Sequence, residues 1–429
     1  MPLLLFFLSF VMMQSAFAQN YITEKPYTDL KQIIHSIEQN HPDIKAAQEE
    51  LNQTKKQHLQ AKSNQRPSIN ASSSIYSSKI DNSNFSNGDG ATTKDFSIEI
   101  NQPLYRGGST TADLNRRESL ISASEMLLHQ SKQNLYLEAA TLYADLIRNI
   151  EIYDLRTTYE TLSKRDYLSA QERHLLGELT LTDVYQAQSN YERAQALSIT
   201  AASDIDITKS ALSQLSKLDI SHLVEPDLST RIEQPLETMI KTAYQNNSDI
   251  IIAEYQLKAA EHQTDVTLGE LYPQLFAFAN YNKQYDPQPG IVDNFSSGTI
   301  GLRANINLYQ GGNTRARIQE SKHVGKELEH RIASLKQDIE QIVIANKLAY
   351  DAALQTVQNH RRLIASVGRA LDGIRTEAQL GQRAFIDVLD ANEDMIEAKI
   401  SFSTIKHRAH IARFQLWHSL GLLEQNIKQ

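Results

Sequence analysis

Three groups of residues have the types and spacing to do chemistry. Asp387 and Asp390 stand three positions apart, which on a helix places both carboxylates on one face. Two like charges about 6 Å apart repel by roughly 3 kcal/mol at an effective dielectric of 20, so the pair has reason to attract cations. The plainer reading is that acids near a helix start complement the helix dipole. Arg383, four residues earlier, carries a guanidinium that donates in a fixed fork and can latch onto a carboxylate. His407 and His410 could share a metal, but spacing marks no third ligand, and packed or solvated histidines are the expectation. No GxSxG, HExxH or phosphate-binding loop stands in a credible context, so neither an enzyme nor a cofactor is expected. Clusters such as Arg361-Arg362 read as wet helix faces.

The elements that must position these residues come in pairs. Leu380-Gly381 precedes the acidic segment, and Leu176-Gly177 stands in the same place half a chain earlier. Each glycine sits where a long helix should stop, because glycine readily takes the left-handed conformation after a helix. Thr180 and Asp183 then have the spacing of a capping box for the next helix. The pairing extends along the chain: Asn101-Gln102-Pro103-Leu104-Tyr105-Arg106-Gly107-Gly108 returns as Asn305-Ile306-Asn307-Leu308-Tyr309-Gln310-Gly311-Gly312. Asp183-Val184 returns as Asp387-Val388, Asp43-Ile44 as Asp249-Ile250, and Pro67 as Pro273. Four collinear landmarks imply a duplicated unit. The boundaries expected are a leader at 1–18, a first repeat at 19–218 and a second at 219–429.

Each repeat reads as a helix, two strands and two long helices. From Asn313 to Ala378 there is no proline, and Leu328, Ile332, Leu335, Ile339, Ile342, Asn346, Ala349 and Ala353 keep the 4-3 spacing of a coiled-coil seam. The seam then steps by four to Val357, a stutter that straightens a supercoil, and resumes at Ile364, Val367, Leu371, Ile374 and Ala378. A helix of that extent spans roughly 100 Å at 1.5 Å per residue, and Ser109–Leu176 mirrors it. Only a bundle, rod or tunnel uses such helices.

Before the long helices lie the strand candidates. Ile300, Leu302, Ala304, Ile306 and Leu308 alternate with Thr299, Gly301, Arg303, Asn305 and Asn307, and Phe96, Ile98, Ile100 and Leu104 alternate with Ser97, Glu99 and Asn101. Gln102 is a flaw at an apolar position. Partner strands are expected near Ser68–Ser78 and Gln274–Gln284, joined through loops at 81–90 and 286–290. The alternation matches transmembrane β-strands, apolar toward lipid and polar toward water; a soluble hairpin packed on a rod is the competing reading. A sheet in lipid leaves no open edge, since unpaired backbone groups there cost several kcal/mol each. Two hairpins give four strands, fewer than the smallest membrane barrels of about eight, so the chain is expected to close its barrel by oligomerising. Three copies give twelve strands.

Composition is consistent with export. Met1–Ala18 is apolar and ends on Ala16-Phe17-Ala18, the small-x-small pattern cut by signal peptidase, although no Lys or Arg stands at its start. No later apolar run reaches spanning length. The chain has no cysteine, which excludes disulfides and a lipid-bearing N-terminal Cys. A formal net charge of −8 argues against a nucleic-acid partner, and a mean hydropathy of −0.44 suits long solvated helices.

With the duplication, the LYxGG strand exits and the LG…DV turns together, the chain resembles the TolC family of outer-membrane export channels over essentially its whole mature length. The resemblance implies an α+β membrane protein, a homotrimer whose four strands per chain close a twelve-stranded barrel in outer-membrane lipid. The barrel would continue as an α-helical coiled-coil tunnel into the periplasm, docking there on a periplasmic adaptor and an inner-membrane pump. It implies that Asp387 and Asp390 form two stacked carboxylate rings at the tunnel entrance, that Arg383 latches the closed entrance by bonding Thr182 and Asp183, and that Leu176, Gly177, Leu380, Gly381 and Gln382 meet the adaptor. Gly107, Gly108, Gly311 and Gly312 would be the strand-to-helix junctions. The family prototype has a latch tyrosine where this chain has Ala378, so a looser closed state is implied. The segment Leu176–Val184 looks like the type I secretion branch, with an ABC exporter as pump; the alternative is drug or metal efflux with a proton-driven pump. From another class, a periplasmic coiled-coil scaffold with no pore remains open.

Overall fold

The computed structural model describes residues 28–79, 81–82, 85–86, 91–221, 223–228, 231–288 and 292–428. The expected leader at 1–18, residues 83–84 and 87–90 of the first hairpin loop, and 289–290 of the second lie outside the described residues.

Each repeat opens with a short helix pair. Helix α1 (Leu30–Asn40) buries Leu30, Ile33, Ile34 and Ile37, a stripe at helical spacing. At its end His41 turns extended and Pro42 starts α2 (Pro42–Ser63), where proline's missing N–H costs nothing. The second repeat repeats the device farther along the chain, in helices Leu236–Asn246 and Ser248–Leu268, with the Asn247 side chain accepting from Asp249 N–H at 3.0 Å. The Asp43/Asp249 echo is thus an acid in the first turn of the second helix of each pair.

The strands follow in sequence as β1 (Ser68–Ser78) and β2 (Ala91–Arg106), leading into α3 (Ser109–Leu175) and α4 (Leu181–Ser216). After α5 (Leu236–Asn246) and α6 (Ser248–Leu268) come β3 (Gln274–Gln288), β4 (Val292–Asn305), α7 (Asn313–Gln379), α8 (Phe385–Ser419) and the short α9 (Leu423–Lys428). Helices α3 and α7 are each 67 residues, about 100 Å long. Their partners α4 and α8, with 36 and 35 residues, are about half as long. The remaining length of α3 and α7 is covered by α2 and α6.

The four strands form one antiparallel sheet in the order β1-β2-β3-β4, so the two repeats join edge to edge through β2 and β3. The register aligns Ile69, Ile100, Ala279 and Ile300 across all four strands, and one step along, Asn70, Glu99, Asn280 and Thr299. Because side chains alternate faces along a strand, the first row lies on an apolar face and the second on a polar one. The polar face continues with Ser72, Ser97, Asn282 and Ser297, where the Ser72 and Ser97 hydroxyls are 2.8 Å apart. On the apolar face Ile69 is 67% exposed and Ile300 87%. Among the described residues, strands β1 and β4 have no second neighbour within the chain.

Two strand limits differ from expectation. Strand β4 ends at Asn305, because its partner β3 begins at Gln274 directly opposite; Ile306 and Leu308 have no ladder to join. Strand β3 runs past Gln284 to Gln288, carrying Asp286 and Pro287 through a register shift where a loop was expected. Gln102 is satisfied at the sheet's end, its amide donating to Gln65 O at 2.9 Å and Pro103 O at 2.7 Å.

The largest cores surround the upper parts of the long helices. One gathers Ile33, Ile34, Tyr136, Tyr143 and Leu212 with Phe414 and Leu423; the other gathers Met239, Ile250, Val343, Tyr350 and Leu416. Along 328–357 of α7 the buried positions are Ile332, Ile339, Val343, Tyr350 and Val357, with Ile342 45% exposed. The 4-4 step therefore falls at Leu335, Ile339 and Val343 rather than at Val357. Tyr350 displaces Ala349 from the seam because a large ring fills the second core. Among the described residues no helix is long and apolar enough to cross a membrane.

Candidate functional site: the paired helical turns

Helices α3 and α7 stop by the same mechanism. Gly177 has φ +77° and Gly381 +75°. Gly177 N–H bonds His174 O at 2.9 Å and Glu178 N–H bonds Arg173 O at 2.9 Å; Gly381 bonds Ala378 O at 3.0 Å and Gln382 bonds Glu377 O at 2.9 Å. These reversed bonds satisfy the last carbonyls of each helix. Nothing lies within 4 Å of a Cβ built on either glycine, so the left-handed backbone alone demands the residue type.

The following helices start differently. Thr180 Oγ1 accepts from Asp183 N–H at 3.2 Å while Asp183 accepts from Thr180 N–H at 2.8 Å, the capping box read from the sequence. The Thr180 hydroxyl and N–H hold the Asp183 carboxyl below its usual range. In the second turn Ala384 has no hydroxyl, so only half the box forms, Asp387 accepting from Ala384 N–H at 3.3 Å. Phe385, Ile386 and Leu389 pack on Tyr167, Ala170, Val184 and Ala187 of the first repeat. That packing leaves Asp387 half-buried and Asp390 exposed. Asp387 thus accepts from the N–H that opens its own helix, and Asp390 stands three positions on, on the same helix face.

Within the chain Arg383 is not joined to Thr182 or Asp183. Its Nε donates to Glu377 Oε2 at 2.7 Å and its Nη1 lies 4.0 Å from Asp387, so it spans its own turn. The first turn has the same kind of strap with charges exchanged, Arg173 to Glu178 at 3.1 Å. Between the straps the tips present leucines: Leu175, Leu176, Leu181 and Leu380 are all exposed.

A bridge between the repeats was not legible in the sequence. Arg375 Nη2 donates to Asn392 Oδ1 at 2.7 Å, and Asn392 Nδ2 donates to Asp166 Oδ2 at 3.2 Å. Asn392 is 3% exposed, and burial pushes the Asp166 carboxyl up. These residues hold α8 to both long helices just above the tips. Separations of 17 and 226 positions carry no spacing signal. The two histidines face different carboxylates, His407 at 2.9 Å from Asp145 and His410 at 3.6 Å from Glu225. At the other end of the helices, Gly107 and Gly108 (φ +65° and +82°) and Gly311 and Gly312 (+61° and +89°) turn β2 into α3 and the chain after β4 into α7.

Comparison with known proteins places this architecture. A family model described as outer membrane efflux protein matches residues 33–216 and again 239–422, one match per repeat. The outer membrane efflux protein BepC of Brucella suis is 26% identical over 362 residues, covering 84% of this chain and 78% of its own. The proteases secretion protein PrtF of Dickeya chrysanthemi is 27% identical over 154 residues, covering 35% of this chain and 30% of its own. The structure of the outer membrane protein VceC from Vibrio cholerae superposes with a TM-score of 0.76 at 18% identity, covering 91% of this chain and 96% of that one. The chain belongs to the outer membrane efflux protein family, the TolC family of outer-membrane channels that extend into the periplasm.

Proposed function

We propose that three copies of this chain form one outer-membrane duct that passes substrates from an inner-membrane transporter, through a periplasmic adaptor, to the outside. The observation that carries this reading is the sheet. An apolar row at Ile69, Ile100, Ala279 and Ile300 runs across both repeats on one face, polar rows at Asn70 and Ser72 run across them on the other, and among the described residues both edges are open. Lipid on the first face and water on the second satisfy the side chains, and copies joined edge to edge satisfy the backbone. A pore-free scaffold gives no use to exposed Ile69 and Ile300.

In this reading Asp387 and Asp390 repeat around the tunnel entrance as carboxylate rings that favour cations. Arg383, which spans its own turn within one chain, can meet Thr182 and Asp183 only on a neighbouring subunit. The paired tips at Leu176-Gly177 and Leu380-Gly381-Gln382 meet the adaptor, with affinity built from repetition around the ring.

Type I protein secretion through an ABC exporter is the finer reading. The Leu176–Val184 segment supports it, and so does the similarity to a proteases secretion protein over part of the chain. The second reading, small-molecule or metal efflux with a proton-driven pump, is favoured by the likeness to BepC, an efflux protein, over most of the chain. The test uses the absence of native cysteine: Gln382→Cys carries a photo-crosslinker at the tip, and captured proteins are identified. An adaptor encoded with an ABC exporter supports secretion, and an adaptor of a proton-driven pump supports efflux. Capture of neither, with the protein in membranes, removes the docking assignment.

A further inference from the structure

Between the repeats the described residues 217–221, 223–228 and 231–235 have almost no regular secondary structure, so their backbone and charged groups need partners from elsewhere. Those partners come from the helices this linker crosses. Tyr143 OH takes both backbone groups of Val224, donating to its O at 2.6 Å and accepting from its N–H at 3.0 Å. Tyr350 OH accepts from Ile232 N–H at 3.4 Å, and Arg413 donates to Asp227 O.

Between these anchors lies a cluster of charges that the channel function does not use. Lys406 of α8 places its ammonium 2.5 Å from Glu151 Oε1 of α3 and 3.0 Å from Glu225 Oε1 of the linker. The second oxygen of Glu151 accepts from Ser403 Oγ at 2.5 Å. Facing the same space are Asp145 and Arg148 from α3, Asp227 from the linker, and His407, His410 and Arg413 from α8. One ammonium therefore joins three separate elements. Its side chain is 19% exposed, so a lone carboxylate would leave it poorly compensated, whereas two satisfy it. Without it, Glu151 and Glu225 would confront each other as like charges.

The position of this tie matters. Above Lys406, toward the sheet, α3 and α8 run into the two large cores. Below it, toward the tips, the repeats meet through two much smaller apolar clusters, one around Tyr159 and Ile396 and one around Val184 and Leu389, and through polar pairs: Arg156 with Glu397 at 2.6 Å, Arg193 with Glu393 at 3.4 Å, and Asn392 with Asp166. We propose that Lys406 is a fixed key that pins the inter-repeat linker across α3 and α8, marking the boundary between an immobile upper body and hairpins that can shift below it. What the shift serves rests on the duct reading; the pinning does not. His410 and Lys406 draw the Glu225 carboxyl down to about 2, and Glu151 and Glu225 raise Lys406 against its burial, so the key stays charged through neutral pH.

Hydrogen–deuterium exchange on the full chain in detergent tests the key without any transport assay. Lys406→Met keeps the stem and removes the charge. The expected result is exchange about tenfold faster at 223–228, the size of one lost charged hydrogen bond, together with faster exchange at 176–184 and 380–390. Unchanged exchange at 223–228 overturns the pinning, since Tyr143 and Arg413 would then suffice. Faster exchange there with unchanged tips overturns the boundary. Glu225→Gln retains the Lys406–Glu151 pair and serves if the first variant does not fold; loosening confined to the linker is then expected, and no change overturns the proposal. Adaptor capture at Gln382→Cys is independent of either result.

Discussion

Tyr143 and Tyr350 do the same work in the two repeats from places one helical turn apart, since the repeat-related position of Tyr143 is Lys347. Each is fully buried on a 67-residue helix, and each phenol oxygen fastens the chain that leads into its own repeat's first helix. Tyr143 lies 3.2 Å from Thr28 O ahead of α1 and also binds Val224; Tyr350 takes Ile232 N–H ahead of α5. The two repeats thus share the device, a buried phenol on the long helix that holds the incoming chain, but not the position that supplies it.

Tyr143→Phe should destabilise the protein by about 1–3 kcal/mol, the cost of leaving buried backbone groups unpaired. Tyr350→Phe should cost less, since it serves one long bond. Denaturant titration of both variants in detergent checks the order; equal losses would show that packing, not the phenol oxygen, is what counts.

Alkaline pH should act on the same residue. Burial pushes the Tyr143 phenol up from 10.0 to about 12. A raised folded value means its contribution is complete below the ordinary tyrosine range and is lost as pH rises through about 12. Tyr143→Phe should therefore flatten the fall in stability between pH 10 and 12, as followed by thermal unfolding at stepped pH. An unchanged slope would assign that fall to other groups.

Two repeat-related glycines should behave unequally. A Cβ on Gly107 would sit 2.1 Å from Gly269 O at φ +65°, whereas Gly311, at φ +61°, meets nothing within 4 Å. Gly311→Ala should cost about 1–2 kcal/mol for the left-handed backbone alone. Gly107→Ala should prevent normal assembly, because backbone must move to admit the methyl. Yields of folded protein from membranes compare the two.

Asn392→Ala should loosen the tips, since it cuts the chain from Arg375 to Asp166 and takes a hydrogen-bond donor from a half-buried carboxylate. Spin labels at Glu178→Cys and Gln382→Cys should report a broader distance distribution than in the unaltered background. An unchanged distribution would leave the apolar packing of Leu389 as the sufficient restraint.

What the sequence made legible was local or periodic. Glycine stops, the Thr180–Asp183 box and 67-residue helices follow from backbone preferences and seam spacing within a few turns. Alternation placed Ile300 and Leu302 correctly but overran the end of β4, because a strand ends where its partner does, and Gln274 is 31 positions before Asn305. The seam slipped at Ile342 and Ala349 for a related reason: both are apolar or small and in register, yet Val343 and Tyr350 face the second core set by Met239 and Ile250. The Asp166–Asn392–Arg375 bridge and the Lys406 cluster bring together residues up to 255 positions apart, which no spacing announces.

The central claim is that open edges β1 and β4 are closed by neighbouring copies. In the cysteine-free chain, a Cys scan along Ser68–Ser78 paired with Thr299→Cys, oxidised in membranes, tests it directly. The account predicts covalent dimers and trimers at one register, with no larger species. Monomer at every register, or a chain released from membranes without detergent, would contradict it.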